Sequence, residues 1–166
     1  MDIILFRHAQ KGLTPFDDPH LSPEGFRQAD NIVSLIEQGK LPKPTDIWAS
    51  EKIRTSQTLQ KVSDLLQIPI EKKPELNLRG EFETANAFQL KVQKWIQEIT
   101  VSSNNDLASK CLFACTHYDW VEVAMSLIPS ETDLSTFEFS HWGPAHYVHF
   151  QIEKSVWKVR RKGHQI

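Results

Sequence analysis

Four basic side chains, each placed just after an apolar run, carry the chemistry open to this sequence. Arg7 and His8 follow DIILF, Arg54 stands a few residues beyond DIWAS, and His117 closes CLFACTH. In open α/β sheets ligands gather outside the carboxyl ends of strands, so these positions are expected to converge. A guanidinium grips phosphate oxygens with a planar fork of donors and stays charged at any working pH. A neutral imidazole can attack phosphorus, while a second, protonated imidazole can stabilise the equatorial oxygens. The expectation is a phosphoryl site in which His8 is the covalent nucleophile and Arg7, Arg54 and His117 bind the phosphate. The arginines supply the positive charge that a magnesium ion would otherwise contribute, so no cofactor and no metal is expected. Gln10 and Lys11, directly after the pair, are further candidates for touching phosphate or substrate, and Gln10 is counted with the phosphate-binding set.

The elements that must position these groups follow from the pattern. DIILF reads as a buried strand feeding a functional loop. LSPEGFRQADNIVSLIEQG reads as a helix capped by Ser22, opened by Pro23 and closed by Gly39, with Phe26, Ala29, Ile32, Val33 and Ile36 on one face. DIWAS is a second strand. The segment beginning at Ser50 is a helix facing inward through Ile53, Leu59, Val62, Leu65 and Leu66, and a brief strand is expected over 68–71. ELNLRGEFE is irregular, residues 85–99 form a third helix, and 102–106 a loop. KCLFACT is the strand expected at the centre. VEVAMSLIP is a short helix ended by Pro129, 131–140 shows no pattern, and the end of the chain is a hairpin turning over 153–155. Strands separated by helices predict one domain over 1–166: an α/β protein, a three-layer α/β/α sandwich whose mainly parallel sheet carries a C-terminal antiparallel hairpin.

Composition bounds the partners. A net charge of -2 gives no general attraction to polyanions, so nucleic acid is not expected and any anion must be held by a local cluster. No apolar tract is of membrane-spanning or signal-peptide length, so no membrane association is expected and the cytoplasm is the expected compartment. Cys111 and Cys115 would point the same way on one strand ~13 Å apart, beyond disulfide reach, and read as core thiols. His146 and His149 are an odd number apart on a strand and face opposite sides, which argues against a metal site with His141. Trp120 is a candidate for the pocket mouth, and Trp95, Trp142 and Trp157 read as packing. Arg160, Arg161 and Lys162 read as a solvated edge.

The motifs resemble those of the histidine phosphatase superfamily, the phosphoglycerate mutase-like or RHG family. LFRHAQK is similar to its Arg-His-Gly signature, LSPEGFRQA to its L-T/S-x-x-G-x-x-Q-A segment, SEKIRTSQT to its S-x-x-x-R-x-x-Q-T segment, and FACTHYDW to the strand ending in its second catalytic histidine. The four occur in the family's order. The resemblance implies a phosphoglycerate mutase-like fold, a phosphohistidine intermediate on His8, phosphate held by Arg7, Arg54 and His117, and release by water.

Two departures bear on substrate. Ala9 stands where the signature has glycine, as in the short branch of the family. Leu78 stands where many members carry the glutamate that protonates an alcohol leaving group, and PELNLRG resembles the SixA-type phosphohistidine phosphatases, which also lack that acid. An imidazole leaves phosphorus with little help because it is a far weaker base than an alkoxide, so loss of the acid fits a phosphoramidate. The leading expectation is a phosphatase acting on phosphohistidine of a partner protein; a chain with no insertion to cap the pocket fits that reading. The second is a small-molecule phosphomonoesterase acting on a phosphorylated metabolite with Glu81 or Glu83 as general acid, although glutamates near a helix start are usually solvated. From another class comes an inactive phosphate-binding or phosphoprotein-binding module.

Overall fold

Alternation along DIILFR sends Ile3 and Leu5 to one side and Ile4 and Phe6 to the other, and all four are fully buried. A strand buried on both faces must lie inside a sheet covered by two layers. The computed structural model describes residues 1–104 and 110–164, and its sheet has that form. Its strands are β1 (Asp2–Arg7), β2 (Asp46–Ala49), β3 (Ile70–Lys72), β4 (Cys111–Thr116), β5 (Tyr147–Glu153) and β6 (Val156–Gly163). They lie in the order β3-β2-β4-β1-β5-β6. The first four run parallel, and β5 and β6 add an antiparallel hairpin.

The helices are α1 (Pro23–Glu37), α2 (Ile53–Leu66), α3 (Ala85–Ser102), α4 (Tyr118–Leu127) and the single turn α5 (Phe137–Ser140). Residues from α1 and α2 pack on Ile4, Phe6, Phe113 and Tyr147. Residues from α3 and α4 pack on Ile3, Leu5, Leu112 and Phe150 on the opposite face. The result is the expected α/β/α sandwich with β4, buried at every residue, beside β1 at its centre. Trp95, Trp142 and Trp157 are core, as expected. The hairpin turns at Lys154 and Ser155, both at positive φ.

Some expectations shift. Phe26 is exposed, because α1 turns inward through Gly25, Ala29, Ile32, Leu35 and Ile36 instead. The rotation has a steric cause: a Cβ at Gly25 would lie 2.0 Å from the Gln10 carbonyl oxygen, so only glycine lets α1 approach the loop after β1. Leu65 is likewise exposed. The unpatterned stretch 131–140 contains α5, too short to show a period, and the expected loop at 102–106 lies partly outside the described residues.

Candidate active site

Register brings the histidines together. In the β1–β4 pair Arg7 sits opposite Thr116, so His8 and His117 leave adjacent parallel strands at one level. The His8 amide donates to the Thr116 carbonyl at 3.0 Å, and the two imidazole centroids are 5.3 Å apart. On the other side of β4, Ala49 pairs with Cys115, which places Ser50 beside His117. Arg54, in the first turn of α2, reaches back across both rings.

The hydrogen bonds fix both tautomers. His8 Nδ1 lies 2.7 Å from the Ala9 carbonyl, which can only accept, so Nδ1 carries the proton and Nε2 a lone pair. That lone pair accepts from Arg54 Nε at 3.2 Å. Arg54 also donates to His117 Nδ1 at 3.2 Å, so neutral His117 keeps its proton on Nε2, which donates to Ser50 Oγ at 2.8 Å. Ser50 in turn meets Thr55 Oγ1 at 3.0 Å. Ala9 is free of positive φ and its amide donates to Thr58 Oγ1 at 2.9 Å, so the alanine at the signature position introduces no strain.

Arg7 donates to the Trp142 carbonyl and lies over the Tyr118 ring, its Cζ 5.2 Å from the centroid; its Nε has no partner among the described residues. Arg7, His8, Arg54 and His117 line one surface cleft of about 320 Å³, together with Gln10, Lys11, Leu78, Tyr118, Asp119 and Pro144. The Gln10 side-chain oxygen accepts from the Ser22 hydroxyl at 2.8 Å, tying the loop after β1 to the cap of α1. Asp18 contacts Arg54 at 3.4 Å and accepts from the Ile53 amide, but is not part of the lining, so the space between the guanidiniums holds no carboxylate from it.

Electrostatics keep both imidazoles neutral. Burial is the largest cause lowering the His8 pKa to about 4; the Ala9 hydrogen bond opposes it, and the charges of Arg54, Arg7 and Lys11 add to it. His117 is pushed down to about 2 by burial, then by His8, Arg54, Lys52 and Arg7. A neutral His8 with its Nε2 lone pair turned toward a guanidinium is an imidazole in nucleophilic form. A phosphoryl dianion in this cleft offsets the charges of Arg54 and Arg7, which shifts His117 toward its protonated form.

Three sequence candidates fall outside the cleft. Glu81 is exposed and does not line it. Glu83 bonds the Gly80 amide at 3.0 Å and Lys91 at 3.1 Å; slight burial raises its pKa, but those two partners and Arg79 prevail and lower it. Trp120 is fully buried, its Nε1 donating to the Glu75 carbonyl at 2.8 Å, and Tyr118 takes the place at the mouth. Sequence reasoning read Ser50 only as the start of a helix, and Asp119 not at all. The serine of S-x-x-x-R and an acid two residues after His117 were the available signals.

This is an arginine-lined cleft of about 320 Å³ at the carboxyl ends of parallel strands, the place where open α/β sheets bind their ligands. Residues 3–79 match the family model of the histidine phosphatase superfamily (branch 1), so the resemblance read from the motifs holds there. None of the curated proteins matches by sequence. Among solved structures, the protein histidine phosphatase SixA complexed with tungstate is similar with a TM-score of 0.77 at 16% identity, over 99% of this chain and 97% of that one. An α-ribazole phosphatase from Shigella flexneri is similar with a TM-score of 0.76 at 17% identity, over 99% and 97%. A phosphoserine phosphatase mutant from Entamoeba histolytica in complex with phosphoserine scores 0.68 at 13% identity, over 97% and 95%. At such identities the likeness is one of fold. Among the described residues no helix is long and apolar enough to cross a membrane.

Proposed function

We propose that this protein is a phosphohydrolase that passes a phosphoryl group to His8 Nε2 and then to water, and that its substrate is phosphohistidine on a partner protein. The observation that carries the reading is the single guanidinium of Arg54 bridging His8 Nε2 and His117 Nδ1. The same donors suit the oxygens of a phosphoryl group placed between the rings, where in-line attack by Nε2 forms the N–P bond as the leaving group departs. Arg7 and protonated His117 hold the remaining oxygens. The phosphate-binding module has no need of an imidazole held neutral with its lone pair turned into the cleft.

Two observations favour phosphohistidine over an alkyl ester. Leu78 lines the cleft, and neither Glu81 nor Glu83 does, which removes the two glutamates considered as acid for an alkoxide. The loops bordering the cleft also present large apolar side chains to solvent. Leu13 is 89% and Phe16 96% exposed beyond Lys11, and Phe82 is 93% exposed beyond Leu78. Single exposed apolar side chains are common, but three on loops that border one cleft suit contact with another protein. The test compares a phosphohistidine-bearing protein with sugar and nucleotide phosphates at matched concentrations, in the native chain and in the Leu13→Ser, Phe16→Ser, Phe82→Ser triple variant. The reading expects preference for the protein, lost through a raised KM in the triple variant. Preference for a metabolite ester would overturn it.

A further inference from the structure

Among the described residues that line the cleft, Asp119 alone carries a carboxylate. It sits in the first turn of α4, with Oδ2 accepting from the Arg79 amide at 2.8 Å and Oδ1 from the Trp120 amide at 2.9 Å. Each carboxylate oxygen retains further lone pairs, so these bonds orient the group without exhausting it. Its charge acts on Arg54, and it is a sequence neighbour of Tyr118 and His117 on the same wall.

The second half of the proposed reaction lacks a proton acceptor among the other groups. Arg7 and Arg54 are donors only, the His117 Nδ1 lone pair faces Arg54 while its Nε2 proton is held by Ser50, and Leu78 is apolar. Lys11 is a cation, and the Gln10 amide and the Tyr118 hydroxyl are very weak bases. Resting on the reading of His8 as nucleophile, we propose that Asp119 orients the water that hydrolyses phosphorylated His8 and accepts its proton. In this step the water oxygen forms a bond to phosphorus and the bond from phosphorus to His8 Nε2 breaks. Its electron pair returns to the imidazole, and the water proton passes to an Asp119 oxygen and then to solvent. The first step makes no demand on Asp119, because an imidazole leaving group departs without an acid.

A merely structural Asp119 would tether the Leu78–Arg79 loop to α4 and nothing more. Rapid-quench kinetics of the full chain with p-nitrophenyl phosphate separates the roles. In Asp119→Asn, His8 is phosphorylated at the native rate, so a burst of about one p-nitrophenol per chain precedes a steady state roughly 10²-fold slower. KM falls together with kcat, since phosphoenzyme accumulates. Asp119→Ser, which still offers an oxygen to the Arg79 amide, gives the same burst and covers a failure of the asparagine variant to fold. Equal slowing of both steps, or a raised KM with no burst, overturns the proposal and leaves a tether. Native chain that never forms phosphorylated His8 overturns the phosphatase reading and this inference with it. A phosphorylated native chain beside a variant of native kcat overturns this inference alone.

Discussion

Replacing Arg54 by methionine removes a guanidinium that bonds both imidazoles. The residue is 6% exposed, and it makes bonds of 3.2 Å to His8 Nε2 and 3.2 Å to His117 Nδ1. With substrate present those donors serve phosphoryl oxygens, where a hydrogen bond involving a charged group is worth about 1.5–3 kcal/mol. Two of them amount to about 3–6 kcal/mol, or a fall in kcat/KM of roughly 10²- to 10⁴-fold. Arg54→Lys keeps the charge but offers one nitrogen instead of a fork; with one bond restored the loss is about 10- to 10²-fold. The charge also matters to His8, because Arg54 is one of the causes holding its pKa down. In Arg54→Met the acid limb of the kcat/KM profile therefore moves to higher pH, and in Arg54→Lys it moves less. Steady-state kinetics from pH 4 to 8, with circular dichroism to verify the fold, measures both effects. A lysine variant with native kcat/KM, or a methionine variant with an unmoved acid limb, would refute the reasoning.

Stability should fall on acidification for a reason located in the cleft. His8 has an ordinary pKa of 6.5 when unfolded and about 4 when folded, so between these values the unfolded chain takes up a proton that the folded chain refuses. The stability is present above pH 6.5 and is lost as pH falls toward 4, with His8 alone contributing about 3 kcal/mol. His117 acts in the same direction. Urea unfolding at pH 7 and pH 4.5 checks this, and His8→Ala should lose less than the native chain; an equal loss contradicts it. Gly25→Ala forces a Cβ to within 2.0 Å of the Gln10 carbonyl oxygen and should cost about 1–3 kcal/mol while displacing Gln10 from the cleft. An unchanged Tm in that variant would show that the loop yields freely.

The parts of this molecule legible in the sequence are those governed by period and position. DIILF and CLFACT betray buried strands by their unbroken apolar character, and the polar residues that end them were identifiable as strand-end groups before any geometry existed. The quartet is therefore readable: Arg7, His8 and His117 are fixed by register, and Arg54 by its place in the first turn of α2. What escaped depended on three-dimensional choices. Phe26 lies on the expected apolar stripe of α1 but is turned out by the close approach at Gly25. Trp120 and Tyr118 are both aromatic residues near His117, and only the direction of α4 decides which reaches the cleft. Glu81 and Glu83 were near the site in sequence, yet the Gly80 and Lys91 bonds hold Glu83 elsewhere while Asp119, forty residues on from Arg79, meets its amide.

The central claim is a covalent phosphoryl group on His8, and alkaline-quench peptide mapping, which preserves phosphohistidine, tests it most directly. After brief mixing with a phosphorylated substrate, the account predicts an alkali-stable, acid-labile phosphate on the peptide containing His8, and neither label nor turnover in His8→Ala. Catalysed hydrolysis that persists in His8→Ala, or label located on another residue, would contradict it.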